Sequence, residues 1–132
     1  MKSLFPHSAT TAGVTVRVAV SFLPEQSEPG RGRWFWAYHV RIENEGPGAV
    51  QLMAREWTIG DGRGGRSEVK GEGVVGEQPV IEAGGAFDYV SGCPLPTPTG
   101  FMEGRYIMVG EQGNSFAAEI PRFPLIAPAV AT

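Results

Sequence analysis

Three glycines have a spacing that suits phosphate binding. Gly71, Gly73 and Gly76 stand in the stretch GEGVVG, which fits the pattern G-x-G-x-x-G. In dinucleotide-binding proteins this loop follows a strand and opens a helix, whose free N–H groups and dipole hold the pyrophosphate. Here Glu-Gln-Pro-Val-Ile follows, with no helical pattern, so the dinucleotide interpretation fails. Two interpretations stay open: a small anion-binding nest of glycine N–H groups, and a wide turn with glycines at positive φ, which we favour.

The other side chains with chemical potential do not form a catalytic pattern. Glu43 and Glu45 stand at the end of a predicted strand, where we expect solvated charges. The only histidines are His7 and His39, and His39 falls on the more polar face of its strand. The single cysteine, Cys93, is expected to be a buried apolar side chain. The sequence therefore predicts no catalytic residue, no metal ligand set and no cofactor.

The arginines are the remaining candidates for binding. Most of the basic residues lie in the first half of the chain. Arg41 and Arg55 fall in predicted strands that also carry aromatic residues, a combination that suits a protein contact surface. The alternative interpretation is a mixed, solvated face. We take Arg41 and Arg55 as candidate residues of a partner surface.

Composition narrows the class of protein. The chain has 132 residues, 42% hydrophobic and 19% charged, with a formal net charge of −3, which indicates one globular domain. A negative net charge argues against general binding to nucleic acid or membrane surfaces. The N-terminal stretch lacks a sustained apolar segment, and no apolar run is long enough to span a bilayer. We therefore expect a cytoplasmic protein.

Alternating side chains predict strands throughout the chain. In residues 13–22 the valines and Phe22 share one face, and in residues 34–44 Trp34, Trp36 and Tyr38 share another. Residues 50–59 change parity partway, which predicts a β-bulge or a break near residues 53–56. Residues 101–120 predict a hairpin with its turn at residues 111–114.

These patterns predict the fold class and its boundaries. With 19 glycines, 11 prolines and no helical periodicity, the chain favours short strands and many turns. We expect an all-β protein, an Ig- or fibronectin-III-like antiparallel β-sandwich of seven to nine strands. An up-and-down barrel is the alternative. We expect a flexible leader over residues 1–12, one domain over 13–128 and a loose tail over 129–132.

The order of several long motifs resembles the ApaG family. The motifs are WFWAYHVRIENEG, REWTIGDGRG, VKGEGVVGEQPVIEAGGAFDYVSG, LPTPTGFMEGRYIMV and FAAEIPRFPL, which run through nearly the whole chain. Two positions depart from the family pattern: Glu56 stands where the family usually has histidine, and residues 83–92 vary its P-G-x-x-F-x-Y-x-S-G loop. The resemblance implies an Ig- or fibronectin-III-like sandwich. It also implies an indirect association with cobalt and magnesium tolerance or efflux in bacteria, and no established catalytic residues.

Three functions compete at this point. The first is an interaction module without catalytic activity, whose partner is a protein; pairing of sheet edges into a homodimer is a variant of it. The second is a binder of phosphate, pyrophosphate or a nucleotide polyphosphate at residues 71–76. The third is a hydrolase of such a nucleotide, in which Glu77 would be the residue to test. We favour the first.

Overall fold

The computed structural model describes residues 4–128, and they form nine strands and two short 3-10 turns. The strands are β1 (His7–Thr11), β2 (Val14–Phe22), β3 (Trp34–Asn44), β4 (Val50–Asp61), β5 (Arg66–Glu72), β6 (Val80–Ile81), β7 (Ala86–Leu95), β8 (Thr99–Gly110) and β9 (Ser115–Ile126). The 3-10 turns (Pro24–Gln26 and Pro29–Arg31) lie in the proline- and glycine-rich connection between β2 and β3.

Two antiparallel sheets pack face to face. The first sheet has the order β1-β2-β3-β7, and the second has the order β5-β4-β8-β9, with β6 paired to the start of β4. This arrangement confirms the predicted all-β sandwich and is not the barrel. Among residues 4–128 there is no helix with the length and apolar character needed to cross a membrane.

Strands β2 and β3 show how the alternating sequence builds the core. Val16 lies opposite Ile42 and Val18 opposite Val40 in the antiparallel register, and all four side chains are completely buried. Trp36 and Tyr38 continue the same inward face of β3. The predicted faces of both strands are therefore confirmed.

A bulge in β4 sets which of its side chains face inward. The register between β4 and β8 shifts between Leu52 and Ala54, so Met53 is the extra residue. Leu52 is fully buried before the bulge and Trp57 is buried after it, although their parities differ. The predicted bulge is confirmed, and it places Arg55 on the inward face with Trp57.

The two sides of the sandwich differ. On one side β1 and β2 pack against β9: the Glu119 N–H donates to the Thr11 hydroxyl at 3.1 Å, and the His7 and Phe123 rings lie 6.0 Å apart. On the other side stand β5 and β7. Each of them pairs with only one strand among residues 4–128, β5 with β4 and β7 with β3. The sandwich is closed along one side and open along the other.

The structure differs from the expectation of a flexible leader over residues 1–12. Residues 7–11 form β1, which pairs with the first half of β2. Its side chains alternate between half-buried and exposed, and the half-buried ones include His7 and Ala9. The segment has no large aliphatic residue, so its sequence does not show the alternation that predicts a strand. Its order comes from the backbone pairing with β2 and from packing on β9. The tail expected at residues 129–132 lies outside the described residues.

An aromatic cluster ties the sheets together. The Phe123 ring is fully buried and lies 6.2 Å from the Tyr38 ring and 6.1 Å from the Trp57 ring, centroid to centroid. These three residues come from β9, β3 and β4, so the cluster spans both sheets. Aromatic pairs at these distances add to the stabilisation from burial alone.

Replacing Phe123 by alanine should therefore remove a central contact between the sheets. We expect Phe123→Ala to lower the free energy of unfolding by about 3–5 kcal/mol, because a large buried ring is lost and a cavity remains. Ile126→Ala is the matched control on the same strand: Ile126 is 61% exposed, and the change should cost no more than about 0.5 kcal/mol. Urea unfolding measures both, and equal losses would contradict this account of the core.

Candidate functional site

A cleft opens between the two unpaired strand edges. It has a volume of about 590 Å³, which falls within the range of small-ligand sites, and we call it the edge cleft. Strand β5 forms one wall and the end of β7 forms the other. The charged residues Arg55, Asp61 and Arg66 line part of it. Its apolar lining residues include Trp57, Ile59, Val69, Pro94, Leu95, Pro96 and Met102.

A smaller polar compartment of about 340 Å³ continues the edge cleft toward residues 72–76. Tyr38, Arg55, Trp57 and Ser91 line both spaces, so the two form one continuous site. The β4 bulge creates this arrangement, because it turns both Arg55 and Trp57 to the inward face that Leu52 occupies before the bulge. The Tyr38 and Trp57 rings meet edge to face at 5.4 Å beneath the compartment.

Arg55 is anchored to the backbone that follows β5. Its Nη1 atom donates hydrogen bonds to the carbonyl oxygens of Glu72 and Gly73, each at 2.9 Å. Gly71 lies directly opposite Arg55 in the β4–β5 register, and a Cβ atom at Gly71 would come within 2.9 Å of Nη1. A side chain at Gly71 would therefore displace the Arg55 guanidinium from its place across the strand.

The other two glycines of the motif shape a tight turn, which we call the glycine turn (residues 73–77). Val74 and Glu77 exchange backbone hydrogen bonds, N–H of each to C=O of the other, at 2.8 and 2.9 Å. Gly73 and Gly76 have φ of +61° and +81°, as the favoured interpretation predicted, but Gly71 does not have positive φ and the turn is tight and not wide. Val75, which directly precedes Gly76, has φ of +43°, and positive φ at Val75 and Gly76 gives the geometry of a type I′ turn.

No helix follows Gly76; the chain passes directly to the short strand β6. The N–H groups of Gly73, Val74 and Glu77 donate to the carbonyls of Met53, Glu77 and Val74, respectively. These donors are therefore engaged by the backbone. The nest of Gly71, Gly73 and Gly76 stays a prediction, and the structure adds Arg55 as the cation beside it.

Val75 has an unfavourable backbone conformation on the rim of the polar compartment. A β-branched residue at positive φ is rare, and such a conformation costs roughly 1–3 kcal/mol. The Val75 side chain is 55% exposed, so burial does not offset this cost within the chain. Val69, on the neighbouring rim of the edge cleft, is 39% exposed.

Tyr38 and Tyr89 line the polar compartment, and Tyr106 contacts Tyr89 in the core. The Tyr89 and Tyr106 hydroxyls hydrogen-bond to each other, and both rings are buried. Burial raises the pKa of Tyr38, Tyr89 and Tyr106 above the ordinary tyrosine value. All three are therefore neutral hydroxyl groups at neutral pH, able to donate a hydrogen bond.

Cys93 behaves as the sequence predicted. It is buried, although it borders the edge cleft, and burial raises the pKa of its thiol to about 11. A nucleophilic cysteine needs the opposite shift, which a neighbouring cation or helix N-terminus would supply. The thiol is a small apolar wall of the cleft.

Arg41 lies on a different surface from Arg55. On the outer face of the first sheet, Arg41 bonds Glu43 at 2.9 Å and Asp88 at 2.7 Å. Arg17 bonds the other oxygen of Glu43 at 2.7 Å, and His39 Nε2 lies 2.8 Å from Asp88 Oδ1. We call these five residues the outer charge ladder. The two arginines predicted as partner-surface residues do not form one surface.

The carboxylates considered for acid–base chemistry have structural partners. Hydrogen bonds from Arg17 and Arg41 lower the pKa of Glu43 below its usual value, so this carboxylate stays ionised at neutral pH. Glu45 accepts a hydrogen bond from the Thr15 hydroxyl at 3.0 Å. Glu56, at one of the positions that depart from the family pattern, bonds Arg105 at 2.7 Å on the outer face of the second sheet.

Fold and cleft together define a two-sheet β-sandwich with one closed side and one open, ligand-sized side. The model of the ApaG domain family matches residues 24–110, and the chain belongs to this family. It is 53% identical over 122 residues to Protein ApaG of Methylorubrum populi, covering 92% of this chain and 94% of that protein. It is 52% identical over 122 residues to Protein ApaG of Rhodospirillum centenum, with the same coverage.

Solved structures agree with this family. A crystal structure of a Bordetella pertussis protein described as ApaA superposes with a TM-score of 0.85 at 46% identity, covering 89% of this chain and 95% of that one. The C-terminal domain of wzt has a TM-score of 0.57 at 9% identity over 98% of this chain and 84% of that one. That second likeness extends to the fold alone.

The raised pKa of Cys93 gives a prediction for alkaline pH. The unfolded thiol ionises near pH 9, whereas the native thiol stays neutral until about pH 11. Between these pH values ionisation stabilises the unfolded state, so the free energy of unfolding falls as the pH rises. Native stability from Cys93 is thus present below pH 9 and lost toward pH 11, by roughly 1–3 kcal/mol. In Cys93→Ala the fall in urea midpoint between pH 8.5 and 10 should be smaller than in the unaltered chain. An identical fall in both would show that Cys93 is not the cause.

Proposed function

We propose that this chain is a non-catalytic cytoplasmic binding module that takes up an extended segment of a partner protein at the edge cleft. The observation that carries this proposal is the asymmetry of the sandwich. One side is sealed by β1, β2 and β9, and the other leaves two strand edges beside an apolar cleft. Unpaired strand edges accept an added strand through main-chain hydrogen bonds, while adjacent pockets select its side chains.

The rim of the edge cleft supports the same function. Exposed valines occur at Val69 on the rim of the edge cleft, at Val75 on the rim of the polar compartment and at Val90 on β7, the last of them 60% exposed. Apolar side chains at an unpaired edge are costly for a protein that stays alone, because they invite pairing with another chain. A partner segment on this edge would cover them.

The outer charge ladder is less suited to a partner. Arg41 is already bound by two carboxylates, so a partner contact there would compete with these ion pairs. Arg41 stays a candidate partner residue, and one arm of the experiment below tests it.

We propose that any effect of this chain on cobalt or magnesium tolerance is indirect and comes from the partner protein that it binds. Among residues 4–128 no group of three or more histidine, cysteine or acidic residues has a geometry that could hold a metal ion. A protein with few suitable ligands is better placed to act on metal homeostasis by binding another protein.

A second candidate function is binding of phosphate, pyrophosphate or a nucleotide polyphosphate beside the glycine turn. The contact between Arg55 and the carbonyls of Glu72 and Gly73 favours it, since a guanidinium at this place would attract a phosphate. Against it, the N–H groups of Gly73, Val74 and Glu77 are bonded to the backbone. Calorimetry with pyrophosphate and ATP separates the two candidates: saturable heat at sub-millimolar ligand favours the second.

Lysines on the rim of the cleft should abolish binding of the partner. The chain is immobilised, exposed to lysate of its native organism, and compared with a Val69→Lys/Val75→Lys variant. The added charges should block an apolar segment, and Val75→Lys adds no backbone strain because lysine is not β-branched. We expect the unaltered chain to retain a protein and the double variant to retain less than about a tenth of it, since desolvating a charge costs well over 1.4 kcal/mol.

Two matched variants complete this experiment. Ile126→Lys places the same charge on an exposed position of β9 and should leave retention unchanged. Arg41→Ala should also leave it unchanged, whereas loss of the partner with Arg41→Ala would move the contact to the outer charge ladder. Equal retention by the rim variant, or retention of nothing but a second copy of this chain, would overturn the proposal.

A further inference from the structure

Arg55 differs from every other arginine in residues 4–128. Five arginines have a carboxylate partner within 4.0 Å: Arg17, Arg31, Arg41, Arg105 and Arg122. Three that have none are exposed to solvent: Arg33, Arg63 and Arg66. Arg55 is half-buried in the cleft and has no carboxylate partner in the described part of the chain. A partly desolvated cation without a counter-charge is costly unless a ligand supplies one.

The guanidinium has donors to spare. Of its five N–H groups, those of Nη1 serve the carbonyls of Glu72 and Gly73. The Nε and Nη2 groups have no acceptor within residues 4–128. Nε and Nη2 together form the planar pair of donors that binds a carboxylate through both of its oxygens. The backbone anchor fixes this pair in place before any ligand arrives.

Hydroxyl groups complete an anion-binding environment around Arg55. Ser91 and Tyr38 line the same polar compartment, and neither side chain is charged at neutral pH. The one acidic residue of this lining, Glu72, makes no ion pair with Arg55. The compartment therefore offers the Arg55 cation and neutral hydroxyl donors, with the Glu72 carboxylate in the lining but not paired to Arg55. The unpaired cation leaves a place for one negative group of a ligand.

The neighbouring edge cleft fits the remainder of a peptide. It is larger, and its walls are mostly apolar, with Trp57, Ile59 and Leu95 among them, although Asp61 and Arg66 also line it. The unpaired edges of β5 and β7 run beside it and can hydrogen-bond an extended main chain. A fatty acid also combines a carboxylate with an apolar chain. It has no N–H or C=O groups along that chain, so it would leave the main-chain donors and acceptors of the two strand edges without partners.

We propose that Arg55 receives the C-terminal carboxylate of the partner, whose last residues lie extended in the edge cleft with apolar side chains toward Trp57 and Ile59. This inference rests on the proposed function and names its ligand. Gly71 and the glycine turn are positioning elements: Gly71 leaves room for the guanidinium, and the turn supplies the carbonyls that hold it.

Matched peptides test this inference on the unaltered protein. A pool of random decapeptides with free C-terminal carboxylates is passed over the immobilised chain, as is the same pool with C-terminal amides. Bound peptides are counted by mass spectrometry, and the enriched sequences are resynthesised in both forms for titration. We expect the acid form to bind about 10- to 100-fold more tightly than the amide, because a hydrogen-bonded charge pair is lost.

Variants locate the effect. Arg55→Gln should bind the acid and amide forms of a peptide with equal affinity, and Arg55→Lys should restore part of the difference in affinity. Arg33→Gln, which changes an exposed arginine, should leave the difference in affinity unchanged. Because the acid–amide comparison uses the unaltered chain, it holds even if Arg55→Gln is unstable.

Other outcomes overturn the inference. Acid and amide forms bound equally by the unaltered chain would remove the carboxylate while leaving the cleft as a peptide site. If neither peptide pool binds while the lysate partner is still retained at the cleft, Arg55 does not receive a C-terminal carboxylate, and the proposed function stands without this inference. Binding of octanoate or pyrophosphate in an Arg55-dependent way, with no peptide bound, would assign the charge to a small anion instead.

Discussion

The extra residue at Met53 is the constraint on which the cleft depends. Without it, β4 would alternate strictly after Leu52, and residues 54, 56 and 58 would face the core. With it, Arg55 and Trp57 face inward at the open side of the sandwich, and Glu56 turns outward to Arg105. A single inserted residue thus places a cation and an indole between two strand edges.

The guanidinium then determines the form of the glycine segment. Arg55 lies across Gly71, where a Cβ atom would displace the guanidinium, and bonds the carbonyls of Glu72 and Gly73. The chain reverses through Val75 and Gly76 at positive φ and returns to pair with the start of β4. A motif with phosphate-loop spacing is therefore a strand end and a tight turn arranged around one arginine.

Much of the fold was predictable from the sequence because apolar residues at every second position identify the buried face of a strand. This holds for β2, β3, the β4 bulge and the β8–β9 hairpin. Alternation reports which face is buried, but not which strands lie at the edges or which edge stays open. The Arg55–Gly71 contact joins residues 16 positions apart through a register set by the intervening hairpin, so it has no local signal. The strand at residues 7–11 was missed because its order comes from its neighbours.

The bonds from Arg55 Nη1 to the carbonyl oxygens of Glu72 and Gly73 are the central contact of the site. Nuclear magnetic resonance of the chain with ¹⁵N-labelled arginine measures this directly, with Arg55→Lys assigning the signals. If Nη1 is bound by two carbonyls, rotation about the Cζ–Nη bonds is slow, and Arg55 should give separate Nη1 and Nη2 signals that Gly71→Ala merges. A single averaged Nη signal from Arg55 in the unaltered chain, like that of a solvated arginine, would contradict the account.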